Sequence, residues 1–469
     1  MNQNQLVPLK ARISWGMGGW ADNFIFQMLM ILALPIYNIE LGIDPVWVGM
    51  ALMLPRLFDA ITDPLMGNIS DNTRSRWGRR RPWIFVGALL SAILLPLLWM
   101  PPFSGKEASI IYFAIVSTVY ALTYTMFVVP YTALGFELSN DYDERTKAMS
   151  WRMYIGLLAG LCIPNLYAWC QHDIFEGDIL KGARWVSLIV AVTVLITGLL
   201  PAILCRENII PKKQEKLKLG KALIETIKDG PFRLLLSGYV IIITGLLTSA
   251  ALALYVNIYH VFAGDKKLAA EVSALGGMLA VVGAYLGVRL AAIISAKTGK
   301  KETMIIGLSL ALISVGSMIF TMQAGFQVHE FWGFKFHPQA ISFFFYGMGQ
   351  QGCWLLIDSM TADICDEDEL RSDRRREGMF GAVKSLALKS GVAITGLTGG
   401  LVIKFAGVSD ATQGVDVAVA ATLHKLFIII QASGLVAGII IFIFYPITRA
   451  KSAETRRLLD ARNSANPLT

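Results

Sequence analysis

Along this chain the hydrophobic and polar positions are sorted into blocks: long apolar runs alternate with short polar connections that hold most of the Lys and Arg. A run of about 18 apolar residues or more, as a helix rising about 1.5 Å per residue, can cross a hydrocarbon core about 30 Å thick. Twelve such runs occur, over residues 14–40, 45–69, 82–101, 108–136, 148–171, 184–204, 234–262, 270–295, 303–323, 338–363, 379–407 and 422–447. A helix satisfies its backbone hydrogen bonds within one segment, which lipid demands. The pattern therefore predicts an all-α membrane protein of twelve transmembrane helices.

The polar connections set the orientation. Short cytoplasmic loops carry the excess of Lys and Arg, and 29 of the 42 basic residues lie at the termini or in loops after even-numbered runs. Both termini are thus expected in the cytoplasm. The longest connection separates six runs from six. The chain is expected to divide into an N-terminal six-helix half at 1–205, a cytoplasmic linker at 206–233, a C-terminal six-helix half at 234–448 and a cytoplasmic tail at 449–469. Helical apolar spacing from Leu217 to Ile227 fits a surface helix within the linker.

Composition narrows the function. Of the 469 residues 55% are hydrophobic and 16% charged, against about 25% charged in soluble domains. The formal charge of +8 sits where topology places it and calls for no nucleic-acid partner. Cysteines 162, 170, 205, 353 and 365 form no CxxC pair, and the five histidines show no ligand spacing. Neither a disulfide framework nor a resident metal or cofactor is expected. Met1 to Arg12 is polar and leads to no small-residue cleavage site, so no cleaved signal peptide is expected. Walker, HExxH and GxSxG patterns are missing, and the GxGxxG spacing at Gly347 to Gly352 lies inside an apolar run and forms no phosphate turn after a strand, which argues against ATP drive and against an enzyme.

The candidate chemistry lies inside the runs. Arg56, Asp59, Thr62 and Asp63 occupy i, i+3, i+6 and i+7 of the second run and so share one helix face. An intramembrane acid is a functional-site hypothesis by default. Two acids one turn apart repel unless a proton, a cation or Arg56 compensates them. The oxygens of two carboxylates and a hydroxyl suit a hard cation; the alternative is a structural ion pair with Arg56. Other polar residues inside the runs are Asp22, Asn23, Gln27, Tyr124, Thr125, Tyr131, Arg152, Trp354, Asp358, Lys384 and Lys389, which could line one cavity.

Two internal echoes suggest a duplicated architecture. The loop after run 2, with Gly67, Asp71, Gly78, Arg79, Arg80 and Arg81, has a degraded counterpart around Gly299 after run 8, and Asp141 to Arg145 is echoed by Asp366 to Arg371. The first of these loops resembles the signature loop of the major facilitator superfamily. Its arginines can meet helix C-termini and acids, so Arg56, Gly67, Asp71, Arg79, Arg80, Arg81, Asp143 and Arg145 are candidates for a latch that breaks during transport. A simple positive-inside signal explains the charge equally well.

The run Arg56-Leu57-Phe58-Asp59-Ala60-Ile61-Thr62-Asp63-Pro64-Leu65-Met66-Gly67, its sequel through Arg79, the Arg81-Pro82-Trp83-Ile84 stretch, Trp15 to Phe24, Tyr124 to Tyr131, Ala362 to Asp366 and Arg376-Glu377-Gly378 resemble the glycoside-pentoside-hexuronide:cation symporters of the major facilitator superfamily. The resemblance covers most of the chain. It implies the two-half, twelve-helix fold and an alternating-access carrier coupling sugar movement to Na+, Li+ or H+. It places Asp59, Asp63 and Thr125 at the cation, with Thr62 where a family member has Asn. It places Tyr124, Arg152, Trp354 and Lys389 at or beside the sugar. Where a galactoside carrier of the family has two sugar-gripping acids this chain has Asn23 and Val128, and Lys384 stands at a Gln position. Arg152, Lys384 and Lys389 against Asp22 and Asp358 then suggest an acidic sugar such as a hexuronide or an oligosaccharide fragment ending in uronate.

The expectation is a monomeric symporter of a sugar and a monovalent cation in the lipid bilayer, with no other metal. A lysophospholipid or other amphiphile carrier of the same fold is the alternative. A membrane-embedded sensor or enzyme is a remote one.

Overall fold

The computed structural model describes residues 7–102, 105–138, 142–205, 207, 226, 228–372 and 377–465. Among them twelve long helices follow in order: α1 Leu9–Leu34, α2 Pro45–Asn72, α3 Arg81–Leu97, α4 Lys106–Glu137, α5 Tyr142–Cys162, α6 Ile179–Leu204, α7 Gly230–Tyr255, α8 Lys266–Thr298, α9 Lys300–Thr321, α10 Gln339–Ser372, α11 Glu377–Phe405 and α12 Val417–Ile443. A thirteenth, α13, spans Arg449–Ala465, where a tail was expected. Wide helical turns extend α1 (Pro35–Glu40) and α7 (Val256–Val261), and short turns carry α5 on to Cys170. Each expected run lies on its own helix.

Nine of these helices are long and apolar enough to cross a membrane by length and composition alone. The other three have local reasons. Helix α3 has only 17 residues, α2 carries Arg56, Asp59 and Asp63, and α10 carries Gln339, Gln350, Gln351 and Asp358. The largest departure from the expected boundaries is at α10, which runs on to Ser372 and absorbs the acidic stretch Asp366 to Arg371. The tenth apolar run ends at 363, so the sequence pattern places this stretch in a connection after it. Charge ends a membrane span without ending a helix, because Glu, Leu and Arg are good helix formers in water. Its echo also parts from it structurally, since Tyr142 to Arg145 opens α5. The other echo holds: Gly78 (φ +109°) and Gly299 (φ +108°) both take a backbone shape open mainly to glycine, just before α3 and α9.

Contacts divide the chain into two compact units, 1–213 with 257–278 and 393–421, and 214–256 with 279–392 and 422–469. The expected 206–233 linker falls mostly outside the described residues, as does its surface helix at 217–227.

In the first unit α1 packs on α5 and α6, α2 on α4, and α3 on α4 and α6. Trp15 and Tyr131 lock α1 to α4 reciprocally: the Trp15 indole donates to the Tyr131 carbonyl at 3.1 Å, and the Tyr131 hydroxyl to the Trp15 carbonyl at 2.8 Å. A Cβ at Gly18 would meet the Tyr131 ring at 2.4 Å, so glycine is needed there. Pro55 inside α2 frees the Ala51 carbonyl, and the Ser117 hydroxyl of α4 stands 3.4 Å from it.

Near the α1–α2 turn, ion pairs tie the 257–278 and 393–421 segments to the first six helices: Glu40 with Lys266 (3.0 Å), Asp44 with Lys404 (2.7 Å), Lys106 with Asp410 (2.5 Å) and Asp173 with Lys267 (2.5 Å). Asp44 also caps α2 through the Val46 N–H at 2.9 Å.

In the second unit α9 packs along α10, and hydroxyls stitch them: Ser342 meets Ser317 at 2.8 Å and Thr321 at 2.9 Å. Helix α13 lies on the acidic end of α10, pairing Lys451 with Glu367 (2.9 Å), Arg456 with Asp366 (3.2 Å) and Arg462 with Glu369 (3.6 Å). A small hairpin, β1 His329–Phe331 and β2 Phe334–Phe336, precedes α10. Its turn holds Trp332 and Gly333, both at positive φ.

The Lys106 ammonium, together with Thr412, draws the Asp410 carboxyl down to about 2. A depressed carboxyl stabilises the fold above its ordinary range near 3.8 and loses that contribution as pH falls through its folded value. The melting-temperature difference between wild type and Asp410→Asn should be full near neutral pH and close as pH falls from about 4 towards 2. A difference that ignores pH across that window would contradict the pairing.

Candidate functional site

The two acids of α2 meet on one hydroxyl. Thr125 Oγ1 of α4 donates to Asp63 Oδ1 at 3.0 Å and stands 3.4 Å from Asp59 Oδ1. Asp59 Oδ2 accepts from Arg56 Nη1 at 3.0 Å. Asp59 is 4% exposed and Arg56 5%, whereas Leu57, Phe58, Ile61 and Leu65 around the helix are exposed, as suits a lipid-facing side. Arg56 lies 4.4 Å from the centroid of the Phe26 ring of α1. Two buried polar atoms of this face have no hydrogen-bond partner: Arg56 Nε and Thr62 Oγ1. Arg56, expected in the latch, belongs with the carboxylates. Pro55 and Pro64 bracket the whole set within α2.

A second cluster lies on the α1 side of the same unit. Asp22 accepts from Tyr124 at 2.8 Å and from Arg152 at 2.8 Å. The Arg152 guanidinium lies over the rings of Tyr131 (5.2 Å) and Trp15 (5.7 Å), the same pair that joins α1 to α4. Asn23 turns back on its own helix, donating to the Gly19 carbonyl at 2.8 Å. In the second unit Lys384 of α11 pairs with Asp358 of α10, Trp354 meets Tyr239 edge to face at 5.6 Å, and Lys389 is half-buried.

The arginine loop binds within the first unit. Arg79 and Arg80 both meet Glu137 at the end of α4, and Arg80 also meets Asp71 at 2.8 Å. Arg81 caps α6, donating to the carbonyls of Ala202 (2.5 Å) and Ile203 (2.9 Å). Burial raises the Glu137 carboxyl, against the lowering by Arg80 and Arg79. Gly67 has room for a methyl, its nearest neighbour being 3.9 Å away. The side chains of Asp143 and Arg145 lie outside the described residues.

Sequence reasoning missed Glu207. Its carboxylate accepts three backbone N–H groups at the start of α3, from Arg79 (2.8 Å), Arg80 (2.8 Å) and Arg81 (3.0 Å), the place where a helix favours an anion. An acid just beyond the sixth run was the available signal. Phe26 was missed too, although it stands one turn beyond Asp22 on α1. Among the described residues no group of three or more His, Cys, Asp or Glu could hold a metal ion.

A family model described as MFS/sugar transport protein matches residues 14–449. The chain belongs to this family. It is similar to the Inner membrane symporter YicJ of Escherichia coli (strain K12), 36% identical over 159 residues that cover 34% of this chain and 35% of YicJ. Another relative is the Glucuronide carrier protein homolog of the same organism, 22% identical over 98% of this chain and 97% of its own length. The crystal structure of the nucleoside transporter NupG superposes with a TM-score of 0.65 at 13% identity, covering 93% of this chain and 100% of NupG. That likeness concerns the fold, a nearly all-helical major facilitator architecture.

Removing the Glu207 carboxylate from this transporter would leave three helix-start N–H groups without their acceptor. Glu207→Ala should cost about 1–3 kcal/mol of stability, with Glu207→Gln, which keeps one acceptor oxygen, between the two. Thermal unfolding of the purified chain checks this order.

Proposed function

We propose that this transporter is a cation-coupled sugar symporter, monomeric, working by alternating access in a bacterial inner membrane with both termini in the cytoplasm. The observation that carries the reading is the convergence of Asp59 and Asp63 on the Thr125 hydroxyl, with the unpartnered Thr62 oxygen on the same helix face. These are hard oxygen donors with one net negative charge left after Arg56, which suits a monovalent ion: Na+ or Li+ held by all four, or H+ on a carboxylate. The symporter and glucuronide-carrier relatives support the same reading.

Asp22, Tyr124 and Arg152 are the sugar-facing cluster of the first unit, beside Asn23. An acid and an arginine side by side accept from and donate to hydroxyl groups, the groups a sugar offers. Trp354, Lys384 and Lys389 take the same role in the second unit. Arg152 and Lys384 already have carboxylate partners. The charge argument for an acidic sugar is therefore weakened, and a neutral glycoside suits these residues as well as a uronide.

Mechanistically, a cation at Asp59 and Asp63 removes their mutual repulsion and favours the sugar-competent state. Linkage requires that the sugar raise cation affinity by the same factor. The Arg79–Arg81 contacts with Glu137, Asp71 and α6 form the latch that re-forms and breaks as access alternates.

Asp63→Asn should abolish concentrative uptake while leaving sugar exchange measurable in proteoliposomes; undiminished cation-driven accumulation would refute the site. With p-nitrophenyl β-glucoside and p-nitrophenyl β-glucuronide as competitors, the neutral compound should inhibit uptake at least as well. Inhibition by the glucuronide alone would restore the acidic reading.

A further inference from the structure

Arg56 has two partners of different kind. One is Asp59, at 3.0 Å; the other is the face of Phe26, 4.4 Å away. The same Phe26 ring packs against Tyr124, with centroids 6.3 Å apart. Tyr124 donates to Asp22, which holds Arg152, and Asp22 and Phe26 stand four residues apart, on one face of α1. Tyr124 also adjoins Thr125, the hydroxyl on which the two acids converge. A single apolar ring thus touches the last member of the carboxylate set and the first member of the sugar-facing set.

We propose that Phe26 is the positioning residue that couples cation binding at Asp59 and Asp63 to the Asp22, Tyr124 and Arg152 cluster. This rests on the symport reading above. A cation taken by Asp59 competes with Arg56 for that carboxylate. The guanidinium is buried and its Nε has no hydrogen-bond partner, so the ring face is what remains to it. The ring quadrupole attracts a cation most when the cation is desolvated and otherwise unpaired. Phe26 therefore stabilises the cation-loaded arrangement more than the unloaded one. Holding the guanidinium fixes the ring, and the ring fixes where Tyr124 presents its hydroxyl to Asp22. An aliphatic residue of similar size would fill the space and lose the attraction.

The test uses the purified full chain and the variants Phe26→Leu, Phe26→Tyr and Phe26→Trp. Cation binding is read from the thermal shift produced by Na+, Li+ or H+ alone, and coupling from the change in its midpoint on adding p-nitrophenyl β-glucoside or β-glucuronide. Phe26→Leu should raise the midpoint cation concentration about threefold to thirtyfold, the range of a cation–π contact, and shrink the effect of the glycoside. Phe26→Tyr and Phe26→Trp, which keep a ring face, should return close to wild type. A residue that merely packs would change the melting temperature and leave the midpoint alone. If wild type responds to a cation and Phe26→Leu responds at the same midpoint, the coupling role is overturned and the symport reading stands. If wild type responds to none of the three cations, the symport reading falls and takes this inference with it.

Discussion

Two carboxylates one turn apart, Asp59 buried and Asp63 half-buried, in a helix that must cross lipid are the constraint around which the first unit is arranged. Each intramembrane acid costs about 2.5–3.5 kcal/mol on insertion scales, and their mutual repulsion adds to that. Neighbouring helices supply the offset: Arg56 on the same helix, the Thr125 hydroxyl of α4, and the Phe26 face of α1 under the guanidinium. Those partners fix how α2 is turned against α1 and α4. Ser117 takes up the carbonyl that Pro55 leaves free, so the irregular backbone beside the acids is satisfied from the same neighbour.

A second theme is where the charges lie. The arginine loop and Glu207 gather at one end of the first unit, and the pairs Glu40–Lys266, Asp44–Lys404 and Lys106–Asp410 at the α1–α2 turn. Partly exposed pairs of this kind contribute about 0–1 kcal/mol each. Contacts built from them are specific in register yet individually weak. The body between them is held by aromatic and aliphatic packing and by the reciprocal Trp15–Tyr131 bonds.

Much of the fold was legible because membrane spans are written locally. A block of apolar residues declares a helix by length alone, and the twelve expected runs correspond to twelve helices. The reading failed at Asp366 to Arg371, where polarity was taken to end the helix although it ends only the lipid-facing part. It also treated 449–469 as a tail, because an amphipathic helix that binds an acidic neighbour is indistinguishable in sequence from a solvated basic end. At the site, the shared face of Arg56, Asp59, Thr62 and Asp63 followed from helical spacing, and Thr125 followed from resemblance. Glu207 stood out only as an acid just beyond the sixth run, and its partner, the start of a helix 126 residues away, is set by tertiary packing alone.

The sequence by itself determined the twelve apolar helical segments and which face of α2 carries the acids. All of this depends on spacings of a few residues, where backbone geometry dictates proximity. Only the tertiary structure decided that Asp59 and Asp63 share the Thr125 hydroxyl, that Arg152 is already held by Asp22, and that Phe26 lies between the two clusters. Those contacts join residues far apart in the chain, from α1 to α2, α4 and α5. Their existence is settled by how whole helices pack, which no local pattern encodes.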